Sequence, residues 1–338
     1  RDSGTWQSAG TGFLEYDSRY PDGFGADTYT ASADSVTWGI VGADGAIGYA
    51  NGTSPTSWSG YRSPGDASSN DHYDLGYGKD GSGNARWVRT TLNNNYELAY
   101  TNDIETDGTW TTVNVSGRRY NVKWSNDKWI AVGSTAQDDV LTSADGASWS
   151  SVDVSGLSLS NTNITALATD GGNNWIFGQD DRVYRSTDHG LNWSLLKDFD
   201  DSSEIHEAAY SNNKWYVFRT NVGGASVEKV GVATSASPAT WTDSADLTIG
   251  SQAKAMFASI STGSASESTV IVVNSDDISR STDSGANFTK LANVLPYGSA
   301  RSITSDGNGN WVVSHDDGRI SYSNDDGASW SSGVDGLV

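Results

Sequence analysis

The string "SNDDGASWSS" at residues 323–332 recurs with small changes as "STDHGLNWS" from Ser186, "STDSGANFT" from Ser281 and "TSADGASWSS" from Thr142. Serine, aspartate and glycine at near-fixed offsets ahead of an aromatic are turn chemistry. Side-chain oxygens cap main-chain N–H groups, and glycine accepts the left-handed backbone that other residues resist. A turn device repeated along one chain narrows the fold sharply, because every unit that carries it must have nearly the same structure.

The units around the string align. Residues 164–196 and 301–332 both read strand, Gly/Asn turn, aromatic-led strand, paired aspartates, strand, Ser/Asp/Gly turn and aromatic strand. Residues 120–152 keep the order, and so do 253–291, with Phe288 in place of Trp. Shorter versions end at Trp58, Trp110 and Trp241. The terminal aromatics are therefore Trp58, Trp110, Trp149, Trp193, Trp241, Phe288 and Trp330, spaced 39 to 52 residues apart. Seven units of four short antiparallel strands, each too small to bury a core alone, predict an all-β chain folded as a seven-bladed β-propeller. Residues 1–338 are read as one propeller domain. Trp6, in "DSGTWQS", resembles the end of a further unit, so eight blades is the alternative. On that reading residues 1–10 form a closing strand or the remnant of an upstream repeat.

Composition agrees: 14 Trp, 15 Tyr and 38 Gly accompany one Met and no Cys, and 36% of residues are apolar. The absence of Cys excludes disulfides and thiol chemistry. A net charge of −21 argues against nucleic acid, whose phosphates need a basic footprint. No apolar run is long enough to span a membrane as a helix. The sequence opens at Arg1 without an initiator Met, which reads as a processed chain or a piece of a longer one, suited to export or to assembly into a larger particle.

Ser186, Asp188, Gly190 and Trp193 fit S-x-D-x-G-x-x-W, as do Ser323, Asp325, Gly327 and Trp330. Ser281, Asp283, Gly285 and Phe288 fit with the aromatic changed; Ser143, Asp145, Gly146 and Trp149 fit with one residue missing. This pattern resembles the Asp-box, or BNR, repeat of sialidase-type propellers. The resemblance implies a hairpin between the third and fourth strands of a blade, structural in role and away from the usual ligand face. Sialidases of that family also carry three substrate-gripping arginines, a Tyr nucleophile polarised by Glu, and an early Phe/Tyr-Arg-Ile-Pro segment. The nearest strings here, "GYRSP" and "VFRT", do not match, and sialidase activity is not expected. Photosystem II assembly-factor propellers look similar across a blade but depend on a basic Arg patch, which this charge balance contradicts. Sortilin-type and xyloglucanase propellers share the box and add longer loops or a second propeller. In texture the chain is most similar to Asp-box proteins of tailed phages, marine and cyanobacterial ones in particular, over about residues 30 to 338. That resemblance implies a virion or extracellular location.

The turns between second and third strands should point to the opposite face, where blade linkers also open. They carry Asp44, Asp138 with Asp139, Asp180 with Asp181, Asp276 with Asp277, and Asp316 with Asp317, besides Asn93 to Asn95 and Glu228. Three readings stand open. Asp-Asp-Gly is good solvent-facing turn chemistry. Oxygen-only ligands suit calcium or magnesium, and carboxylates also hydrogen-bond sugar hydroxyls. Two of the carboxylates would serve as acid and base in a glycosidase. Trp58, Tyr61, Tyr73 and Tyr77 mix aromatic faces with polar residues in 58–85, which suits sugar stacking and suits packing between blades equally. The lengthened hairpin at 220–229 is a candidate adhesive loop. The four histidines show no metal-ligand spacing. The expected function is a non-enzymatic binding or structural module of a virion, phage tail or other extracellular assembly. It would recognise cell-surface carbohydrate or a structural protein, with calcium as the candidate ion. The alternative is a secreted glycoside hydrolase or lyase acting on neutral polysaccharide.

Overall fold

The computed structural model describes residues 26–334, apart from 33–34, 42–45, 52–57, 63–70, 93–96, 134–139, 158, 161, 225–226, 248–256, 262–267, 275–276, 298–299, 306–307 and 316–318. These residues form seven four-stranded antiparallel sheets, each built from four consecutive strands in the order first, second, third, fourth. We number the blades 1 to 7 along the chain: 26–62, 71–114, 119–152, 166–198, 204–243, 257–291 and 300–334. First strands of successive blades neighbour one another, and the first strand of blade 7, Ala300–Ser305, meets that of blade 1, Ala26–Ser32. The ring therefore closes at seven. Residues 1–10 lie outside the described residues; blade 1 takes its fourth strand from Ser59–Arg62 and blade 7 from Ser331–Val334.

The core lies between blades, because a single four-stranded sheet cannot cover its own apolar faces. Alternation along the second strand of blade 4, Trp175–Gln179, shows how. Trp175 and Phe177 pack with Ile130, Val132 and Val140 of blade 3. Ile176, between them, packs with Ile205, Trp215 and Val217 of blade 5. Both faces of the strand are buried, so it reads as a continuous apolar run rather than an alternating one.

Each terminal aromatic directly precedes the fourth strand of its blade, from Trp58 before Ser59–Arg62 to Trp330 before Ser331–Val334. In the four Ser/Asp/Gly turns, serine is in register with the first or second residue of the second strand: Trp129 with Ser143, Trp175 with Ser186, Val270 with Ser281, Trp311 with Ser323. The turn geometry repeats closely. Ser186 Oγ donates to Asp188 Oδ1 at 2.8 Å and accepts from Gly190 N at 2.9 Å. Asp188 Oδ1 accepts from Asn192 N at 2.9 Å. Trp193 Nε1 then donates to Gly190 O at 2.9 Å. Gly190 has φ +76°, and a Cβ there would lie 2.2 Å from Ile130 Cδ1 of blade 3. Gly327, with φ +78°, meets Ile271 of blade 6 in the same way. In blades 4 and 7 the turn thus seats the blade on the second strand of its predecessor, at a distance that leaves no room for a Cβ.

Candidate functional site

The face formed by the second-to-third turns and the blade linkers is best described around blades 4 and 5. Asp180, at φ +49°, caps the second strand of blade 4. Its carboxylate accepts from Ser160 Oγ at 2.5 Å and Thr162 Oγ1 at 2.7 Å, both on the linker arriving from blade 3. Gln179 ties the same linker, donating to Thr162 O at 2.8 Å and accepting from Ser160 N at 3.1 Å. Asp181 Oδ2 holds the next linker through Asp201 N and Ser202 N at 3.3 and 3.2 Å. The adjacent pair thus holds one linker with each member.

Beyond that linker lies Arg219, fully buried in blade 5. Its guanidinium bridges Asp201 at 2.5 Å and Asp243 at 2.6 Å, with Ser203 Oγ at 3.3 Å, and lies 3.6 Å from the ring centroid of Phe199. Burial raises the Asp201 carboxyl, but hydrogen bonds from Ser203 and the charge of Arg219 outweigh it and hold the group below its ordinary range. The hairpin at 220–229 is drawn onto the same linker, since Gly223 N donates to Asp201 O at 2.8 Å.

Asp277 is bound by Lys290 Nζ at 2.7 Å within blade 6. Asp44, Asp138, Asp139, Asp276, Asp316 and Asp317 lie outside the described residues. Among the described residues no three His, Cys, Asp or Glu side chains gather as metal ligands.

Among the described residues, two carboxyl groups are pushed upward. Asp74 is held between blades 2 and 3, accepting from Leu75 N at 2.9 Å and Val122 N at 2.8 Å, and burial raises it despite these bonds. Glu228, 4% exposed, is raised by burial and further by Asp246. Of the aromatic residues singled out in 58–85, Trp58, Tyr61 and Tyr77 pack within the blades, and the side chain of Tyr73 lies outside the described residues. Trp58 is buried, and Tyr61 and Tyr77 pack against the core shared by blades 1 and 2. Tyr61 Oη accepts from Trp110 Nε1 at 2.8 Å and donates to Ile104 O at 3.0 Å, and burial lifts its pKa to about 12.

Among the described residues, two of the concavities open along the outer parts of the blades. One, of about 390 Å³, lies between the outer parts of blades 5 and 6, lined by hydroxyls of Thr234, Ser237, Thr240 and Thr242. The other, of about 550 Å³, lies along the outer edge of blade 4, with Leu157, Tyr184, Trp193 and Leu195 beside the Arg182–Asp198 pair. Neither Asp74 nor Glu228 lines either one. The second concavity was missed at the level of sequence. Its signal is a comparison of blade 4 with its own sister repeats, position by position, rather than a search for shared motifs.

No family model matches the chain, and no curated protein does either. Solved structures do. A structure of YCF48 bound to D1 peptide superimposes with a TM-score of 0.57 at 11% identity, covering 89% of this chain and 94% of that one. The β-propeller domain of Cps50 (Swd1) from Myceliophteria thermophila gives 0.59 at 10% identity, over 88% and 99% of the two chains. The GH74 xyloglucanase from Xanthomonas campestris gives 0.62 at 12% identity, over 92% of this chain and 54% of the enzyme. The chain shares their propeller fold. At such identities the likeness is one of architecture.

Proposed function

We propose that this chain is a non-enzymatic docking propeller of a virion or other extracellular assembly, with a structural protein as its partner. The observation that carries this reading is the use of the described carboxylates on the linker face. Asp180, Asp181, Asp201 and Asp277 are each engaged by the chain's own loops or basic side chains. They brace a rigid, acidic surface. A glycosidase needs a raised acid beside an ionised partner across an accessible cleft, and the raised Asp74 and Glu228 lie away from both concavities. The four Ser/Asp/Gly turns support kinship with Asp-box proteins, and the texture shared with tailed-phage members supports the virion setting. That YCF48 is found with a bound peptide supports a propeller of this kind presenting a surface to protein.

A glycan reading has its own observation in the hydroxyl-lined concavity between blades 5 and 6. Calcium enters through the paired aspartates alone, as oxygen ligands. A glycan-array screen with calcium and again with chelator, run beside a reducing-end assay on neutral polysaccharides, tests all of these. The docking reading expects no glycan signal and no new reducing ends. Binding lost on chelation would replace it with a metal-assisted lectin, and released reducing ends with a hydrolase.

A further inference from the structure

Sister repeats provide an internal control, since the same structural demands act at equivalent positions of every full unit. The residue after the turn glycine is Ala147, Ala286 and Ala328 in blades 3, 6 and 7, but Leu191 in blade 4. Two residues after the terminal aromatic stand Ser151, Lys290 and Ser332, but Leu195 in blade 4. Two residues before the turn serine stand Leu141, Ser279 and Ser321, but Tyr184 in blade 4. The departures cluster on one edge of one blade. They also run against burial: among the described residues Leu191 and Leu195, 55% and 51% exposed, are the large hydrophobics left to solvent. Packing does not require them, because three sister blades do without.

Leu191 and Leu195 flank Trp193 in the chain, and Leu195 lies opposite Tyr184 in the strand register. Tyr184, Trp193, Leu195 and Leu157 form the apolar wall of the 550 Å³ concavity. At its far end Arg182 Nε meets Asp198 Oδ2 at 2.9 Å, both about two-fifths exposed. The fourth strand of blade 4, Ser194–Asp198, is the outermost strand of its sheet, so one edge of its main chain pairs with no further strand among the described residues. Exposed aliphatic residues beside a concave aromatic wall and an open strand edge suit one kind of occupant, an extended polypeptide that adds as a strand and drops a large side chain into the hollow.

We propose that the outer edge of blade 4 is the docking surface for an extended protein segment carrying an aliphatic or aromatic anchor next to Lys or Arg. The basic character of the partner follows from the charge of the whole chain, −21; at the hollow itself Asp198 is already paired with Arg182, and Asp200 stands on the linker beyond it. The inference rests on the docking reading and assigns its surface.

The test is a phage-displayed library of random linear peptides, panned on the whole chain and measured against a double variant, Leu191→Ala with Leu195→Ser. These are the residues sister blades carry, so the variant keeps its propeller, checked by thermal unfolding. The expected result is enrichment of peptides with an apolar anchor beside Lys or Arg, whose affinity falls about tenfold or more in the variant. Peptides that bind both proteins equally would overturn the assignment to blade 4 and leave protein docking in place. No enrichment at all would overturn both. A wild-type dimer in sedimentation that the variant loses would overturn the peptide as occupant in favour of a second copy of this chain.

Discussion

Arg280 Nε, in blade 6, donates to the main-chain oxygen of Asp326, in the Ser/Asp/Gly turn of blade 7, at 2.8 Å. Arg86 of blade 2 makes the same kind of contact, its guanidinium donating to Asp145 O of blade 3 while lying 4.4 Å from the Tyr100 ring centroid. In both cases a cation from one blade satisfies a carbonyl that its own hairpin leaves free. Arg280→Ala should therefore cost about 1.5–3 kcal/mol, the range for a hydrogen bond that involves a charged group. Urea unfolding would show it as a lower midpoint, and Arg280→Lys should recover only part, since a single ammonium does not reproduce the planar fork.

The turn glycines give a sharper case. Gly190→Ala forces a Cβ onto Ile130 Cδ1 and holds alanine at φ +76°. Overpacking and left-handed strain together should destabilise by about 2–4 kcal/mol. Ile130→Val removes the clashing methyl, so the double variant should be markedly less damaged than the sum of the two singles. Strict additivity in thermal unfolding would contradict the contact.

Acid should loosen these turns. For Asp145, Asp188, Asp283 and Asp325, burial works to raise each carboxyl. Hydrogen bonds from the turn main chain and from Ser or Asn side chains outweigh it, and all four are lowered. A lowered folded pKa contributes stability above the unfolded value, near 3.9, that is lost as pH falls through the folded one. Stability should drop steeply below about pH 4. Replacing all four aspartates with Asn should lower stability at neutral pH and flatten that acid limb in denaturant titrations.

Glu228 predicts the opposite slope. Burial raises its carboxyl, with Asp246 adding to the effect. The stabilising form is the neutral one, present in full below the unfolded value near 4.3 and lost as pH rises through the folded pKa. Glu228→Gln keeps the shape without the charge, so it should be more stable than wild type at pH 8 and nearly equal to it at pH 4. Parallel pH profiles of the two proteins would rule out the buried carboxyl.

Arg219 is the most exposed to failure by substitution. Removing it leaves Asp201 and Asp243 facing each other without a cation and uncovers Phe199. Arg219→Ala should cost about 3–5 kcal/mol, as for breaking one side of a buried charge cluster. Restoring a single-charge balance with Asp243→Asn should recover part of it in the same unfolding assay.

Much of the architecture is legible in the chain because it is local. Ser186 to Trp193 fold by contacts at most a few residues long, and one hairpin solved is four hairpins solved. Continuous apolar runs, most of them with a Trp at or near their start, mark the second strands that lie between blades. Closure at the seven blades that the repeat count favours, by contrast, was settled only when Ala300–Ser305 met Ala26–Ser32, since Trp6 left eight as an alternative in the sequence. The pairings that matter for a site were equally hidden. Asp74 meets Val122 N across 48 residues, and Arg280 meets Asp326 across 46, each one repeat away. Aspartates of identical turn chemistry then took different roles, Asp180 with one linker and Asp277 with Lys290, according to what the next element brought near. By itself the sequence determined the unit, its turns and its buried strands, because turn capping and the apolar runs are written within one repeat. The tertiary structure alone decided which carboxylates are spent on bracing and which edge stays open, because those outcomes depend on how neighbouring blades meet around a closed ring.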